Sequence, residues 1–340
     1  MGRVVLVTGV SGDLGGRFAR LLSADPAVER VIGVDVVPPR GDMSDVRFVR
    51  ADIRNPVIAK VIAGEDVDTV VHMSVIATPG TAGGRSSMKE LNVIGTMQLL
   101  AACQKSTSLK RLVVRSSTAV YGSSSRDPAM FTEDMAPKRM PRSGFAKDVA
   151  EVEGYVRGFA RRRPDIDVTM LRAANTVGAT VSSPMTQYFR LPVVPTILGY
   201  DARLQFLHED DLLRALNHAT LEGVHGTFNI AGDGIVMLSQ ALRRLGKPSI
   251  PMPAFAAGQV GSLVRQSRVA DFSPEQMAYL TYGRGVDTTR MRKVLGFEPE
   301  HTTAAALDDL HRAIGPGLIS SDRVGAVETF VTQALGADRG

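Results

Sequence analysis

The strongest constraint on this chain is a glycine-spaced turn between an apolar strand and an amphipathic helix, within residues 3–22. The run from Val4 to Val7 is typical of a strand buried on both faces, and apolar residues recur at helical spacing from Leu14 to Leu22. Gly9, Gly12 and Gly15 lie between the two. Glycines there permit a tight turn, close approach by a phosphate and close helix–strand packing, while the free N–H groups of the helix face the anion. The pattern therefore predicts dinucleotide binding.

An acidic residue closes the second predicted strand, residues 30–35. Asp35 follows Gly15 by 20 residues, where a carboxylate can accept hydrogen bonds from the ribose 2′-hydroxyl of a dinucleotide. The same carboxylate would repel a 2′-phosphate, so the sequence favours NAD over NADP. Arg40 lies nearby and leaves NADP open.

The length of 340 residues is large for one core, so we expect two packed lobes. Apolar content of 44% and charged content of 22% are typical of an ordinary globular protein. No apolar run approaches the roughly 20 residues that a membrane span requires, and the first strand leaves no room for a signal peptide. We therefore expect a cytoplasmic protein without a membrane partner. The single Cys103 excludes an intrachain disulfide.

The net charge of +5 comes from basic residues that are spread along the chain. The sequence contains no zinc-ligand spacing, no interleaving of aromatic and basic residues, and no Trp. We therefore expect neither a metal site nor nucleic-acid binding, and the surplus of positive charge favours an anionic small molecule as the partner.

Strand and helix patterns alternate as far as residue 175, which predicts an α/β fold with a Rossmann-type doubly wound parallel sheet. The predicted strands after the second are residues 46–49, 69–73, 111–117 and 168–172, and the longer predicted helices are residues 90–105 and 147–163. Beyond residue 175 the pattern loosens and prolines become frequent. We expect residues 1–175 to form the NAD-binding domain, with a segment near 204–235 returning to it. Residues 176–340 are expected to form mainly a smaller substrate-binding lobe.

Several motifs occur in a fixed order along the chain. Thr8 begins T-G-V-S-G-D-L-G, Asn92 begins N-V-I-G-T, and Ser116 begins S-S-T-A-V-Y-G. Leu171 begins L-R-A-A-N-T-V-G, and Phe206 begins F-L-H-E-D-D. With these motifs the chain resembles the extended short-chain dehydrogenase/reductase family and, within it, NAD-dependent epimerases and dehydratases such as UDP-glucose 4-epimerase.

The resemblance implies an NAD site along the carboxyl edge of the sheet. In such a site Asp52 would hydrogen-bond the adenine amino group, Ile53 would pack on the ring, and Lys147 would hold the nicotinamide ribose. The residues expected to bind the cofactor are Thr8, Gly9, Ser11, Gly12, Asp13, Leu14, Gly15, Asp35, Asp52, Ile53, Met73, Ser74, Asn92 and Lys147.

The resemblance also implies a catalytic group, in which Ser117 takes the Ser/Thr position and Asn92 supports the helix backbone. Lys147, with Glu151 four residues later, fits the second half of the family motif Y-x-x-x-K. Ser143 stands in the Tyr position. In the family the phenol of that tyrosine removes a proton from the substrate hydroxyl. Loss of a general base of this kind costs about 10²–10⁴-fold in rate.

Three explanations of this substitution stay open from the sequence. Tyr121 or His72, each at the end of a predicted strand, could supply a substitute base. Alternatively, the substrate could need no strong base or supply its own. In the third explanation the chain is a sensor that binds NAD or a nucleotide sugar without turnover.

The resemblance favours a UDP-glucose-type 4-epimerase that transfers hydride transiently to bound NAD. The alternatives are a hydroxysteroid-type or other small-alcohol dehydrogenase, and a catalytically weakened binding protein. The partner is expected to be a nucleotide sugar or another small molecule, and a homodimer is possible for such a chain. The residues expected to contact the substrate are Val75, Thr118, Asn175 and Arg203.

Overall fold

The computed structural model describes residues 2–43, 45–75, 77, 83–137, 141, 144–253 and 273–315. Strands and helices alternate through most of this range. The strands are β1 (Arg3–Thr8), β2 (Val28–Asp35), β3 (Val46–Arg50), β4 (Thr69–His72), β5 (Arg111–Ser117), β6 (Asp167–Ala173), β7 (Asn175–Val177), β8 (Val194–Ile197), β9 (Arg203–Leu204), β10 (Phe206–His208), β11 (Gly226–Ile230), β12 (Val236–Met237) and β13 (Ser249–Met252). The helices are α1 (Asp13–Ser23), α2 (Val57–Gly64), α3 (Arg85–Lys89), α4 (Gly95–Lys105), α5 (Gly144–Arg162), α6 (Pro184–Phe189), α7 (Glu209–Glu222), α8 (Leu238–Arg244), α9 (Pro274–Tyr282) and α10 (Thr303–Ile314).

Seven strands form one parallel sheet in the order β11-β6-β5-β4-β1-β2-β3. The chain winds outward in both directions from the neighbours β1 and β4. Ligands of open α/β sheets bind outside the carboxyl ends of the strands at such a switch point. The predicted α/β fold with a doubly wound parallel sheet is confirmed.

Helices cover both faces of the sheet. On one face α1 and α7 pack over a core that includes Val7, Phe18 and Leu216. On the other face α2, α4 and α5 pack over a core that includes Leu6 and Val114. Each central strand therefore has apolar side chains on both sides, which explains its continuous apolar sequence.

A third apolar cluster forms apart from the sheet, among α6, α8, α9 and α10 with the short strands near them. Its centre includes Tyr188, Phe189 and Phe206, all with less than 2% of their surface exposed. The parallel pair β8–β13 and the antiparallel pair β9–β12 lie in this part of the chain. None of the described helices is both long and apolar enough to cross a membrane.

The long helix predicted for residues 90–105 is interrupted. The segment Glu90–Ile94 between α3 and α4 is a π-helical turn, and the hydroxyl of Thr96 donates a 2.5 Å hydrogen bond to the carbonyl of Asn92. Such turns occur frequently at functional sites.

The helix predicted for residues 147–163 begins three residues earlier, at Gly144. The structure shows why the sequence pattern missed its start. Arg85 donates to the carbonyl of Gly144 over 2.7 Å, and the backbone N–H of Ala146 donates to the carboxylate of Glu275 over 2.9 Å. Both partners are distant in sequence, so they stabilise the first turn without a local signal.

Candidate functional site

The glycine-spaced turn joins β1 to α1 as the sequence predicted. Gly9 has a φ of +82°, which favours glycine, and a Cβ on Gly15 would lie 2.0 Å from the carbonyl oxygen of Gly9. A Cβ on Gly12 would meet nothing closer than that same oxygen, at 3.6 Å. The chain itself therefore requires Gly9 and Gly15, whereas Gly12 leaves space open in front of the helix N-terminus. That space fits the pyrophosphate of a dinucleotide.

The carboxylate of Asp35 lies beside this turn at the end of β2. One of its oxygens accepts hydrogen bonds from the backbone N–H and the hydroxyl of Ser11, at 3.0 and 2.6 Å. The other accepts from the N–H of Val36 at 2.8 Å. The carboxylate is thus held in place and partly exposed, in the position where a ribose hydroxyl would meet it. The turn and Asp35 together fit NAD.

A buried chain of hydrogen bonds joins the ends of β1 and β4 to the π-helical turn. The hydroxyl of Thr8 lies 2.9 Å from Nδ1 of His72, and Nε2 of His72 lies 2.8 Å from the hydroxyl of Thr96. Because Thr96 donates to the Asn92 carbonyl, the network assigns the proton of the imidazole to Nε2. Thr8 in turn accepts from the N–H of Met73 at 3.2 Å.

This network holds both ring nitrogens of His72, which disfavours His72 as a substitute base. Burial lowers the pKa of His72 to about 4, and both ring nitrogens already have partners. The imidazole is a neutral link between strands, and Thr8 shapes the loop through its hydroxyl rather than presenting it to a ligand.

The residues expected at the adenine end lie together near the start of α4. Arg54 donates to both carboxylate oxygens of Asp52, and its hydrogen bond lowers the pKa of Asp52. Ile53 is 6% exposed, and a Cβ on Gly95 would lie 2.7 Å from its Cδ1. Asp52 is therefore paired with Arg54, and most of the Ile53 side chain packs against α4.

Three elements bring the expected catalytic residues to the carboxyl edge of the sheet. Ser117 ends β5, and its hydroxyl accepts from the N–H of Ala119 at 3.1 Å. Asn92 is fully buried in the π-helical turn, and Lys147 lies in the first turns of α5. Helix α5 packs against the π-helical turn and against the short 3₁₀ turn that follows β5. The Nζ of Lys147 lies 3.7 Å from Glu151, while Ser143 lies outside the described residues.

Tyr121, named as a possible substitute base, lies in the core with its hydroxyl already hydrogen-bonded. Its hydroxyl donates to the side-chain oxygen of Asn229 at 2.8 Å and accepts from Arg172 at 2.7 Å. Its ring stacks on Phe131 with 4.6 Å between centroids. Burial raises the pKa of the phenol, so Tyr121 is a neutral part of the core.

Two of the expected substrate residues, Thr118 and Asn175, lie near a buried guanidinium. Arg284 donates to the carbonyl of Gly122 at 2.7 Å, lies 3.5 Å from the hydroxyl of Thr118, and stacks 5.2 Å from the ring centre of Tyr279. Asn175 hydrogen-bonds Tyr279. Burial lowers the pKa of Arg284, because its nearest partners are neutral.

The other two expected substrate residues, Arg203 and Val75, lie on β9 and directly after β4. Arg203 lies on β9, its side chain donates to the carbonyl of Pro128 at 3.4 Å, and its own carbonyl accepts from the N–H of Arg284. Val75 is 8% exposed and follows β4. Tyr279 and Glu275 were not identified from the sequence as residues near the site. The only sequence signal there is Ser-Pro-Glu, which marks the start of α9 and predicts no function. Within the described residues, no cluster of His, Cys, Asp or Glu is arranged to hold a metal ion.

Comparison with known proteins identifies the class to which this fold and site belong. Residues 5–231 match the model of the NAD-dependent epimerase/dehydratase family, which is more than half of the chain. The chain belongs to that family, and NAD is the cofactor of the family.

Relatives of known sequence agree with this membership. An uncharacterized protein of Mycobacterium tuberculosis is 51% identical over 317 residues, which is 92% of this chain and 84% of that protein. UDP-glucose 4-epimerase 2 of Oryza sativa subsp. japonica is 32% identical over 199 residues, covering 52% of this chain and 45% of the rice protein. D-erythronate dehydrogenase of Cupriavidus necator is 29% identical over 181 residues, covering 48% and 55%.

Solved structures share the fold at low sequence identity. UDP-glucose 4-epimerase of Thermotoga maritima superposes with a TM-score of 0.70 at 20% identity, covering 91% of this chain and 98% of that one. UDP-glucuronic acid 4-epimerase of Bacillus cereus has a TM-score of 0.69 at 20% identity, covering 92% and 98%.

Proposed function

We propose that this protein binds NAD along the carboxyl edge of its sheet and uses it to oxidise and re-reduce a nucleotide-linked sugar, as a 4-epimerase does. The observation that carries the proposal is the placement of the open turn at Gly12, the fixed carboxylate of Asp35, and Ser117 with Lys147 along one edge of the sheet. The rice epimerase and the Thermotoga epimerase support the choice of a sugar nucleotide.

Each of the expected residues has a role that its position supports. The helix N-terminus at Gly12 would hold the pyrophosphate, Asp35 the adenosine ribose, and Lys147 the nicotinamide ribose hydroxyls. When bound, NAD supplies a ring that accepts and returns hydride. Ser117 would orient the reacting hydroxyl, and Arg284 would face the negative charge of the substrate.

Oxidation of the sugar requires removal of a proton from its hydroxyl. The described residues offer no strong base for this step near the position that the family's tyrosine takes. His72 and Tyr121 are both buried and fully hydrogen-bonded. The proposal therefore predicts slow turnover, and Ser143→Tyr should raise the rate of UDP-glucose and UDP-galactose interconversion by about 10²-fold or more. Ser143→Phe is the matched control, since it adds the ring without the hydroxyl. If Ser143→Tyr binds NAD and gains no activity, the substrate class is wrong.

A second candidate function is oxidation of a small hydroxy acid by freely exchanging NAD. The likeness to D-erythronate dehydrogenases favours it, because Arg284 could accept a substrate carboxylate as well as a phosphate. Mass spectrometry of the small molecules that remain bound to the purified protein separates the candidates. Retained NAD supports the epimerase, whereas a cofactor-free protein that reduces added NAD with an aldonic acid supports the dehydrogenase.

We propose further that the protein acts in the cytoplasm as a homodimer, with α4 and α5 as the contact face. Ile94 beside α4, Met97 on α4 and Tyr155 on α5 expose 39–43% of their surface on adjacent helices. A Cβ on Gly154 would meet nothing within 4 Å, so a second helix could approach closely there. The same two-helix face on a second copy would give a self-complementary contact.

A further inference from the structure

We propose that Arg115 is an oxyanion-binding residue at the inner end of the candidate site. Its guanidinium would take either the diphosphate of the dinucleotide or an acidic group of the substrate. The inference deepens the proposed function and rests on it, because it assigns a charge-recognising group to the same cleft.

The position of Arg115 follows from the alternation of side chains along β5. Val113, Arg115 and Ser117 face the same side of the sheet, the side covered by α7. Arg111, two residues before Val113, donates to the Leu221 carbonyl at the end of α7 over 2.9 Å. Arg115 therefore lies between the end of the sheet that contacts the α7 C-terminus and the carboxyl edge at Ser117.

The described sheet neighbours of Arg115 are more deeply buried than Arg115 itself. Its register partner on β6 is Leu171, which is fully buried, and Met73 continues β4 on its other side with 5% exposed. Val113 below it is fully buried, whereas Arg115 and Ser117 are both partly exposed. The partial exposure of Arg115 thus lies two residues from the carboxyl end of β5, the edge at which ligands of such sheets bind.

Arg115 has no partner within the part of the chain that the structure describes, neither a hydrogen bond nor an ion pair. Burial lowers its pKa to about 10, which is the expected effect on a cation without a compensating anion. A half-buried cation without a described partner is only partly desolvated, and it gains no ion pair that would offset that cost. Such costs are typical of functional positions.

The neighbouring strand provides a direct contrast. Arg172 on β6 faces the other side of the sheet, donates to both carboxylate oxygens of Glu153 at 2.7 and 2.8 Å, and also contacts Tyr121. Burial alone would lower the pKa of Arg172, but the hydrogen bonds to Glu153 raise it. Arg172 is thus a satisfied structural cation. The planar fork of Arg115 has no partner among the described residues, and such a fork binds carboxylates and phosphates.

The test uses Arg115→Met, which keeps an apolar stem, with Arg115→Lys as the variant that keeps charge without the fork. The first readout is the unfolding temperature without ligand. We expect Arg115→Met to match or exceed the wild type, and Arg172→Met, the comparator, to fall. A lower unfolding temperature for Arg115→Met would assign Arg115 a structural role and overturn the proposal.

The second readout is calorimetry with NAD, and with UDP-glucose and UDP-glucuronate on the NAD-loaded protein. We expect Arg115→Met to bind one of these ligands about tenfold or more weakly than the wild type does, because a charge-assisted hydrogen-bonded pair is removed. Weaker NAD binding identifies the cofactor diphosphate as the anion. Equal losses for both sugars identify the substrate diphosphate, and a loss confined to UDP-glucuronate identifies a substrate carboxylate. Unchanged binding of all three ligands overturns the assignment.

The two proposals fail separately. If the wild-type protein binds NAD but neither sugar nucleotide, the proposed function fails. The role of Arg115 is then tested by comparing the binding of NAD and of inorganic pyrophosphate to the wild type and to Arg115→Met. If the variant binds both as tightly as the wild type does, the role proposed for Arg115 is contradicted.

Discussion

Burial sets the chemistry of His72 at the scale of a single residue. Its pKa is about 4 in the folded chain and 6.5 in an exposed one. As the pH falls below 6.5, the unfolded chain takes up a proton that the folded chain does not accept until about pH 4. The His72 contribution to the free energy of unfolding is therefore complete above pH 6.5 and falls by about 3 kcal/mol as the pH drops to 4.

Urea unfolding at about pH 7 and about pH 4.5 measures this dependence. His72→Gln keeps a hydrogen-bonding side chain but has no titratable group at this position. Its free energy of unfolding should therefore fall less between the two pH values than that of the wild type. Equal losses in the variant and the wild type would show that His72 does not titrate as its burial implies.

The glycine turn gives a second residue-scale prediction. Gly12 has open space and an ordinary φ of −74°, so Gly12→Ala should leave the free energy of unfolding unchanged. It should weaken NAD binding by about tenfold or more, because the methyl group occupies the space of the phosphate. Gly15→Ala should instead destabilise the chain by about 2 kcal/mol through its clash with Gly9. If Gly12→Ala binds NAD as the wild type does, the pyrophosphate lies elsewhere.

At the scale of elements, an ion pair between a half-exposed arginine and a buried carboxylate holds the helix that carries Lys147. Arg85 on α3 donates to both oxygens of Asp148 at 2.5 and 2.7 Å, and the Asp148 side chain is fully buried. Arg85→Met would leave that carboxylate without its cation, so the free energy of unfolding should fall by about 3 kcal/mol. Arg157→Met is the control on the same helix, since its partner Glu153 keeps Arg172. The free energy of unfolding of Arg157→Met should fall by less than about 1 kcal/mol. Equal losses in the two variants would contradict a special role for Arg85.

Local sequence signals predicted the sheet but not the pairs that position the site. The strand at residues 111–117 was predicted with the observed bounds, because a run of apolar residues reports burial on both faces. The pairing of Arg85 with Asp148 spans 63 residues, and that of Arg284 with Gly122 spans 162. Neither pair has a periodic sequence signature, so the contacts around the proposed substrate site became visible only in three dimensions. The buried partners of Tyr121 and His72 were invisible for the same reason, since a position at a strand end does not reveal them.

The whole molecule presents the α4–α5 face outward, and the proposed homodimer would bury it. Tyr155→Glu places a charge in the centre of that face and should convert the dimer to a monomer in size-exclusion chromatography with light scattering. Tyr200→Glu adds the same charge on an exposed tyrosine elsewhere and is the control. A wild-type protein that is monomeric at micromolar concentration would contradict the proposed interface.

The central claim is that the edge of the sheet between β1 and β4 binds NAD, with Asp35 setting the preference for it over NADP. Isothermal titration of the purified protein with both dinucleotides tests this claim most directly, after any retained cofactor has been removed. The account predicts about one NAD bound per chain and at least about tenfold weaker binding of NADP, because the carboxylate repels the 2′-phosphate. No heat with either dinucleotide, or tighter binding of NADP, would contradict it.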